Sequence, residues 1–69
     1  MEEYPKVLNR LQAQCSKREY CSVDIFRKAM TAFDGDRDQA GRLLKDLQDD
    51  GFVDDSRYAA AFAREKSRL

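Results

Sequence analysis

Two thiols, Cys15 and Cys21, and a string of carboxylates at Asp34, Asp36 and Asp38 are the first residues in this chain to weigh for chemistry. A pair of thiolates supplies half of a tetrahedral zinc site, but the sequence holds no His and no third Cys to complete it. Disulfides persist in oxidising compartments, and the start Met1-Glu2-Glu3-Tyr4 lacks the basic and apolar stretches of a secretory signal. Two structural thiols in a cytoplasmic protein are therefore expected. Alternate aspartates also open a calcium loop, which needs ligands at its positions 1, 3 and 5, Gly at 6 and Glu at 12. Counted from Asp34, Gly35 falls at position 2, Gln39 at 6 and Lys45 at 12, so the pattern fails. Those aspartates are expected to cap a helix and complement its dipole instead. General acid–base catalysis usually draws on His or on a carboxylate held in a pocket, and one small core leaves little room for a pocket. The expectation is no catalytic residue, no metal site, no cofactor, and a protein that is not an enzyme.

Charge narrows the choice of partner. Lys and Arg match Asp and Glu at 13 each, but unevenly along the chain. Residues 1–33 hold six basic against four acidic side chains, residues 34–55 three against eight, and residues 56–69 four against one. Affinity for nucleic acid comes largely from neutralised phosphates, so a balanced chain should bind DNA weakly. A helix-turn-helix reading would put the segment after Gly35 in the major groove. That segment carries Asp36, Asp38, Asp46, Asp49 and Asp50, and phosphates would repel it. Basic residues gather in two groups, Lys17, Arg18, Arg27 and Lys28, then Arg64, Lys66 and Arg68. Arg57 joins the second group as a candidate: a cation in the first turn of a helix opposes the dipole unless a carboxylate is near, and Asp54 or the preceding helix is the expected partner. Arg57, Arg64, Lys66 and Arg68 are the candidate partner-binding residues, because a basic helix suits an acidic or phosphate surface. No apolar run approaches the roughly 20 residues of a membrane span, so no membrane partner is expected.

Four helices must carry these side chains, and apolar spacing places them. Tyr4, Leu8, Leu11 and Cys15 fall at i, i+4, i+7 and i+11, with Val7 widening the stripe of a helix over about 5–17, Pro5 in its first turn. Ile25, Phe26, Ala29, Met30 and Phe33 face inward on a second helix that starts at a Ser22 cap and stops at Asp34-Gly35, where Gly takes the left-handed turn. Ala40, Leu43, Leu44 and Leu47, spaced 0, 3, 4 and 7, define a third helix from Asp36 or Arg37 to Asp50, closed by Gly51. Phe52 and Val53 anchor the linker. Asp54 or Asp55 caps a fourth helix over 55–69, with Tyr58, Ala59, Phe62 and Leu69 turned inward. It ends in Arg64, Lys66 and Arg68 without Gly, Pro or a cap, a pattern expected of a fragment whose natural chain continues.

In their order, these residues resemble a known family. Arg18-Glu19-Tyr20-Cys21-Ser22-Val23-Asp24-Ile25-Phe26-Arg27-Lys28 is similar to the opening of the RecX family, where an Arg-Glu-Tyr-Ser turn leads into a short helix. Leu43-Leu44-Lys45-Asp46-Leu47 through Gly51-Phe52-Val53-Asp54-Asp55-Ser56-Arg57-Tyr58-Ala59 resembles its more specific signature: a Leu-rich helix, Gly, two apolar residues, Asp-Asp, any residue, Arg, an aromatic and Ala. Ala61, Phe62 and Arg64 continue it, and the likeness covers about residues 6–68. Its motif residues here are Tyr20, Asp24, Leu47, Gly51, Asp54, Asp55, Tyr58 and Ala59. The resemblance implies an all-α chain of tandem three-helix repeats, with 1–53 as the first and 54–69 as the opening helix of an incomplete second. It implies a regulator without catalytic residues that binds RecA or RecA–DNA filaments. Such a regulator suppresses strand exchange, ATP hydrolysis and LexA co-cleavage, modulating recombination and the SOS response. Any weak DNA binding would rest mainly with later repeats. Two departures stand out. Cys21 occupies the position of the family's capping Ser, and a thiol caps poorly, so Ser22 must take over or the helix start one residue late. The basic stretches that would meet DNA or RecA fall mostly beyond residue 69. The rival expectation is a stand-alone helical module for nucleic acid or another protein.

Overall fold

The computed structural model describes residues 3–67, and their side chains as far as Ala63. Its elements are four helices, α1 (Tyr4–Lys17), α2 (Ser22–Ala32), α3 (Arg37–Asp49) and α4 (Asp55–Ser67), and no strand occurs among the described residues. The chain is all-α, as its apolar spacing predicts.

α1, α2 and α3 enclose one core because their apolar stripes converge. Val7 and Leu11 come from α1, Ile25, Ala29 and Ala32 from α2, and Ala40, Leu43 and Leu47 from α3. Phe33 and Val53, just past the ends of α2 and α3, complete it, and among the described residues no polar side chain is buried with them. Tyr4, Leu8, Cys15, Tyr20, Phe26, Met30, Leu44 and Phe52 pack around its edge. α2 and α3 share the most extensive contact. Phe33 fastens α1 as well: its ring stacks on Tyr4 with centroids 5.9 Å apart and planes 11° from parallel. The Tyr4 hydroxyl donates to Asp46 on α3, and Arg42 lies over the same ring at 5.6 Å. Burial first, then the bond to Asp46, pushes the Tyr4 pKa up to about 12, so this phenol stays protonated across the physiological range.

Both turns inside the bundle close by the same hydrogen-bond pattern. At the end of α2, Gly35 N–H donates to Met30 O (2.8 Å) and Asp34 N–H to Thr31 O (3.4 Å), a Schellman arrangement. The left-handed position there is taken by Asp34 (φ 54°) and shared with Gly35 (φ 87°), not by Gly35 alone as the sequence suggests. Asp is one of the few residues whose short polar side chain lets it adopt that geometry. At the end of α3, Phe52 N–H reaches Leu47 O (2.9 Å) and Gly51 N–H reaches Gln48 O (3.1 Å). Gly51 alone provides the left-handed turn, at φ 80°. Asp36 caps α3, accepting from the Gln39 N–H at 3.1 Å, as expected of the aspartate string.

Two glycines should respond to alanine with opposite sign. A Cβ on Gly51 meets nothing within 4 Å, so only the left-handed backbone opposes it. Gly51→Ala should lose about 1–2 kcal/mol, read from the urea midpoint. Gly41 lies inside α3 with equal room for a Cβ. Gly41→Ala should raise stability by about 0.5–1 kcal/mol through helix propensity. Equal signs would contradict the turn and helix assignments.

α4 departs from expectation. Tyr58 is only half-buried, Ala59 is exposed, and Phe62 is 48% exposed; Leu69 lies outside the described residues. α1, α2 and α3 already close the core with Val53, and among the described residues α4 makes no helix-to-helix contact of comparable extent. The molecule is correspondingly long, 41 Å against 20 and 16 Å across. No helix among the described residues is long and apolar enough to cross a membrane.

Candidate functional site

The first turn of α4 is where residues distant in sequence meet. Asp54 caps α4 itself, its carboxylate accepting from the Arg57 N–H at 3.1 Å. Asp55, one residue on, turns to a different helix. Its Oδ1 accepts from the Ser22 N–H and its Oδ2 from the Ser22 hydroxyl, both at 2.8 Å. Ser22 opens α2, and the residue before it, Cys21, makes no capping bond with its side chain. A helix start leaves amides without intrahelical acceptors and carries partial positive charge. Asp55 satisfies one of those amides from across the molecule, so Ser22 is the first residue of the helix and not its cap. The poor cap at Cys21 is thus made good by a carboxylate from α4.

Arg57 completes the joint. Its Nε donates to Glu19 Oε1 at 2.7 Å, and one terminal nitrogen donates to the carbonyls of Gly51 (3.0 Å) and Phe52 (3.3 Å). The carboxylate that offsets a cation at this helix start is therefore Glu19 in the α1–α2 turn, whereas Asp54 bonds the Arg57 backbone. The side chains of Arg57 and Glu19 are 46% and 32% exposed, and so open a pair contributes little by Coulomb attraction alone. Its specificity lies in the fork: one guanidinium spans the turn before α2 and the turn after α3. The second Glu19 oxygen, Oε2, is shielded from solvent and accepts no hydrogen bond among the described residues. That shortfall keeps the joint's strength modest.

Cations and rings surround the joint. Tyr20 carries Arg18 at 5.0 Å and Lys28 at 5.3 Å from its ring centre, a cation–π arrangement that brings together two members of the first basic group. Tyr58 and Phe62 stack along α4 with centroids 6.3 Å apart and planes at 12°. Arg18, Glu19, Tyr58, Ala61 and Phe62 line an open groove between α4 and the α1–α2 turn. Cys15 and Cys21 are free thiols. Burial, reinforced by the Glu19 carboxylate, pushes the Cys15 thiol up from its ordinary value, which makes it a poorer nucleophile at neutral pH. Among the described residues no group of three or more His, Cys, Asp or Glu could hold a metal ion.

Of the residues singled out by sequence, Asp54, Asp55, Arg57 and Tyr58 meet at this joint, Leu47 and Gly51 build the turn that delivers α4 to it, and Tyr20 packs at the edge of the core beneath Arg18 and Lys28. Asp24 lies in the first turn of α2, and Ala59 on the exposed side of α4. The side chains of Arg64, Lys66 and Arg68 lie outside the described residues. Glu19 and Ser22 are the distant partners of Arg57 and Asp55, beyond what local spacing identifies. The signal was present: Arg57 at a helix start demanded a carboxylate, and two adjacent aspartates stood where one cap suffices.

The Asp55 contact makes the joint sensitive to acid. Hydrogen bonds from the Ser22 N–H and then its hydroxyl hold the Asp55 carboxyl below its ordinary 3.8. A carboxylate with a lowered folded-state pKa contributes stability above its unfolded value and loses it as pH falls through the folded one. Loosening of α4 should therefore begin below the ordinary carboxylate range, with Ser22 amide exchange as the readout. An unchanged Ser22 amide after full protonation would contradict this contact.

Compared with known proteins, the chain matches no family model, no curated protein and no solved structure.

Proposed function

We propose that this chain is a RecX-like, non-enzymatic regulator that docks on RecA or on RecA–DNA filaments and restrains recombinase, ATPase and co-protease activities, so modulating recombination and the SOS response. On this reading α1, α2 and α3 are one three-helix repeat, α4 opens the next, and the protein works in the cytoplasm.

One observation carries the reading. The signature that prompted it, Gly51-Phe-Val-Asp54-Asp55-Ser-Arg57-Tyr58, has a physical job here as a joint between one finished three-helix unit and the helix that follows. Gly51 turns the chain, Asp55 and Arg57 tie the new helix back to α2 and to the α1–α2 turn, and Tyr58 begins its apolar face. A chain of repeats needs such a joint, since its stability comes from contacts between neighbouring units. The work proposed is contact: its residues hold, orient and present α4.

Co-sedimentation with RecA–single-stranded DNA filaments tests the proposal. The chain should be retained by filaments, and replacing Arg64, Lys66 and Arg68 together by Glu should reduce retention at least tenfold, as loss of a complementary charge patch does. No retention of the chain or of a longer protein containing it would reject the function. Unchanged retention of the triple variant would remove those three residues from the contact.

The cations gathered on Tyr20 favour a second reading, a stand-alone module that binds nucleic acid. It requires DNA affinity without RecA that falls steeply with added salt.

A further inference from the structure

Two tyrosines at the edge of the core carry cations, and they differ in what accompanies those cations. Over Tyr4 lies one guanidinium, that of Arg42, and the Tyr4 hydroxyl is bonded to the Asp46 carboxylate, so charge is balanced on the spot. Tyr20 carries two cations, Arg18 at 5.0 Å and Lys28 at 5.3 Å from its ring centre. Both residues are exposed, and among the described residues neither cationic group has an ion-pair or hydrogen-bond partner. Glu19, the carboxylate next to Arg18 in sequence, is committed elsewhere: its Oε1 takes Arg57 and its Oε2 is shielded from solvent.

Two like charges held over one ring lie within about one Debye length of each other, about 10 Å at moderate ionic strength, where their repulsion persists. The ring offsets part of that cost and fixes where the cations sit. So held, they lose less side-chain freedom on meeting an anion than loose surface residues do. Arg18 comes from the end of α1 and Lys28 from α2, so the packing of two helices defines the spot.

The carboxylates nearby decide which anion fits. Glu19, Asp54 and Asp55 all lie at the joint beside the same α1–α2 turn. A nucleic-acid strand is charged at every step of its backbone and would lie across those carboxylates as well as the two cations. One or two carboxylates on a protein segment can meet the cations and leave the joint alone.

We infer that Arg18 and Lys28, fixed on Tyr20, clamp an acidic segment of a partner protein. The inference rests on the proposed contact function but does not require RecA to be the partner.

NMR titration of the intact 69-residue chain with a capped oligoglutamate peptide, over roughly 0.1–10 mM for a weak contact, tests this. Shifts should centre on Arg18, Tyr20 and Lys28 and shrink with added salt. Arg18→Gln and Lys28→Gln should each weaken binding about fivefold. Tyr20→Phe keeps the ring and should bind as before, whereas Tyr20→Leu should weaken binding about threefold. Slow amide exchange at Ile25 and Leu47 would show that the core of the Leu variant is intact. An oligothymidylate of equal charge should bind more weakly than the peptide. Equal shifts at Arg37 and Lys45, or full binding by either Gln variant or by Tyr20→Leu, would overturn the clamp. So would tighter binding of the oligothymidylate, which would hand the two cations to nucleic acid. The titration contains neither RecA nor filament, so its failure removes the clamp alone, and a failure of filament retention removes the proposed function alone.

Discussion

Replacing Phe33 by Ala should unfold most of the protein at 25 °C. Phe33 is 1% exposed and stands where three elements meet: it ends α2, packs in the core and stacks on Tyr4 of α1. Removing a buried aromatic ring loses its transfer free energy and leaves a cavity, together about 3–5 kcal/mol. A chain of this length has a total stability on the order of 3–10 kcal/mol, so the loss is comparable with the whole. The ring is also what Tyr4 leans on, and without it the hydroxyl's bond to Asp46 loses its support. Urea titration followed by far-ultraviolet circular dichroism should show a largely lost transition. A loss under about 1 kcal/mol would mean that α1 and α2 do not share this core.

The second large effect is local. Asp55→Ala with Arg57→Ala should release α4 while α1, α2 and α3 stay folded, because neither residue contributes to the core. A 13-residue helix without tertiary support is marginal in water. α4 holds about a quarter of the helical residues, so helical circular dichroism should fall by about that fraction. The thermal transition of the remainder should stay cooperative. Full helicity in the double variant would show that α4 is held by something other than its first turn. Loss of all helicity would show that the joint and the core are one cooperative unit.

Periodicity made the bundle legible. Ala40, Leu43 and Leu47 are buried where their spacing puts them, and Val7, Leu11, Ile25 and Ala29 behave alike, since an apolar stripe must be covered by another. Turn chemistry did nearly as well, with Gly51 and the Asp36 cap in their expected roles and Asp34 sharing the turn given to Gly35. The joint was harder because its contacts span the chain. Ser22 and Asp55 lie 33 residues apart, and Glu19 and Arg57 lie 38 apart. Local rules identify a cap or a misplaced cation but not which distant side chain answers it. For the same reason the sequence points the Arg57 guanidinium to Asp54 or to the preceding helix, whereas Asp54 takes the backbone amide and Glu19 in the α1–α2 turn takes the guanidinium. On α4, Tyr58 and Phe62 looked inward because spacing marks an apolar face without saying whether anything lies against it.

α4 is fastened to α1, α2 and α3 at its first turn, with Asp55 serving the start of α2. Amide hydrogen exchange at Ser22 measures this most directly, because the first amide of a helix has no acceptor within its own helix and should exchange freely. The Ser22 amide should be protected and become fast in Asp55→Ala, while the amides of Ile25 and Leu47 remain slow. A Ser22 amide already exchanging at the free rate in the unaltered protein would contradict it.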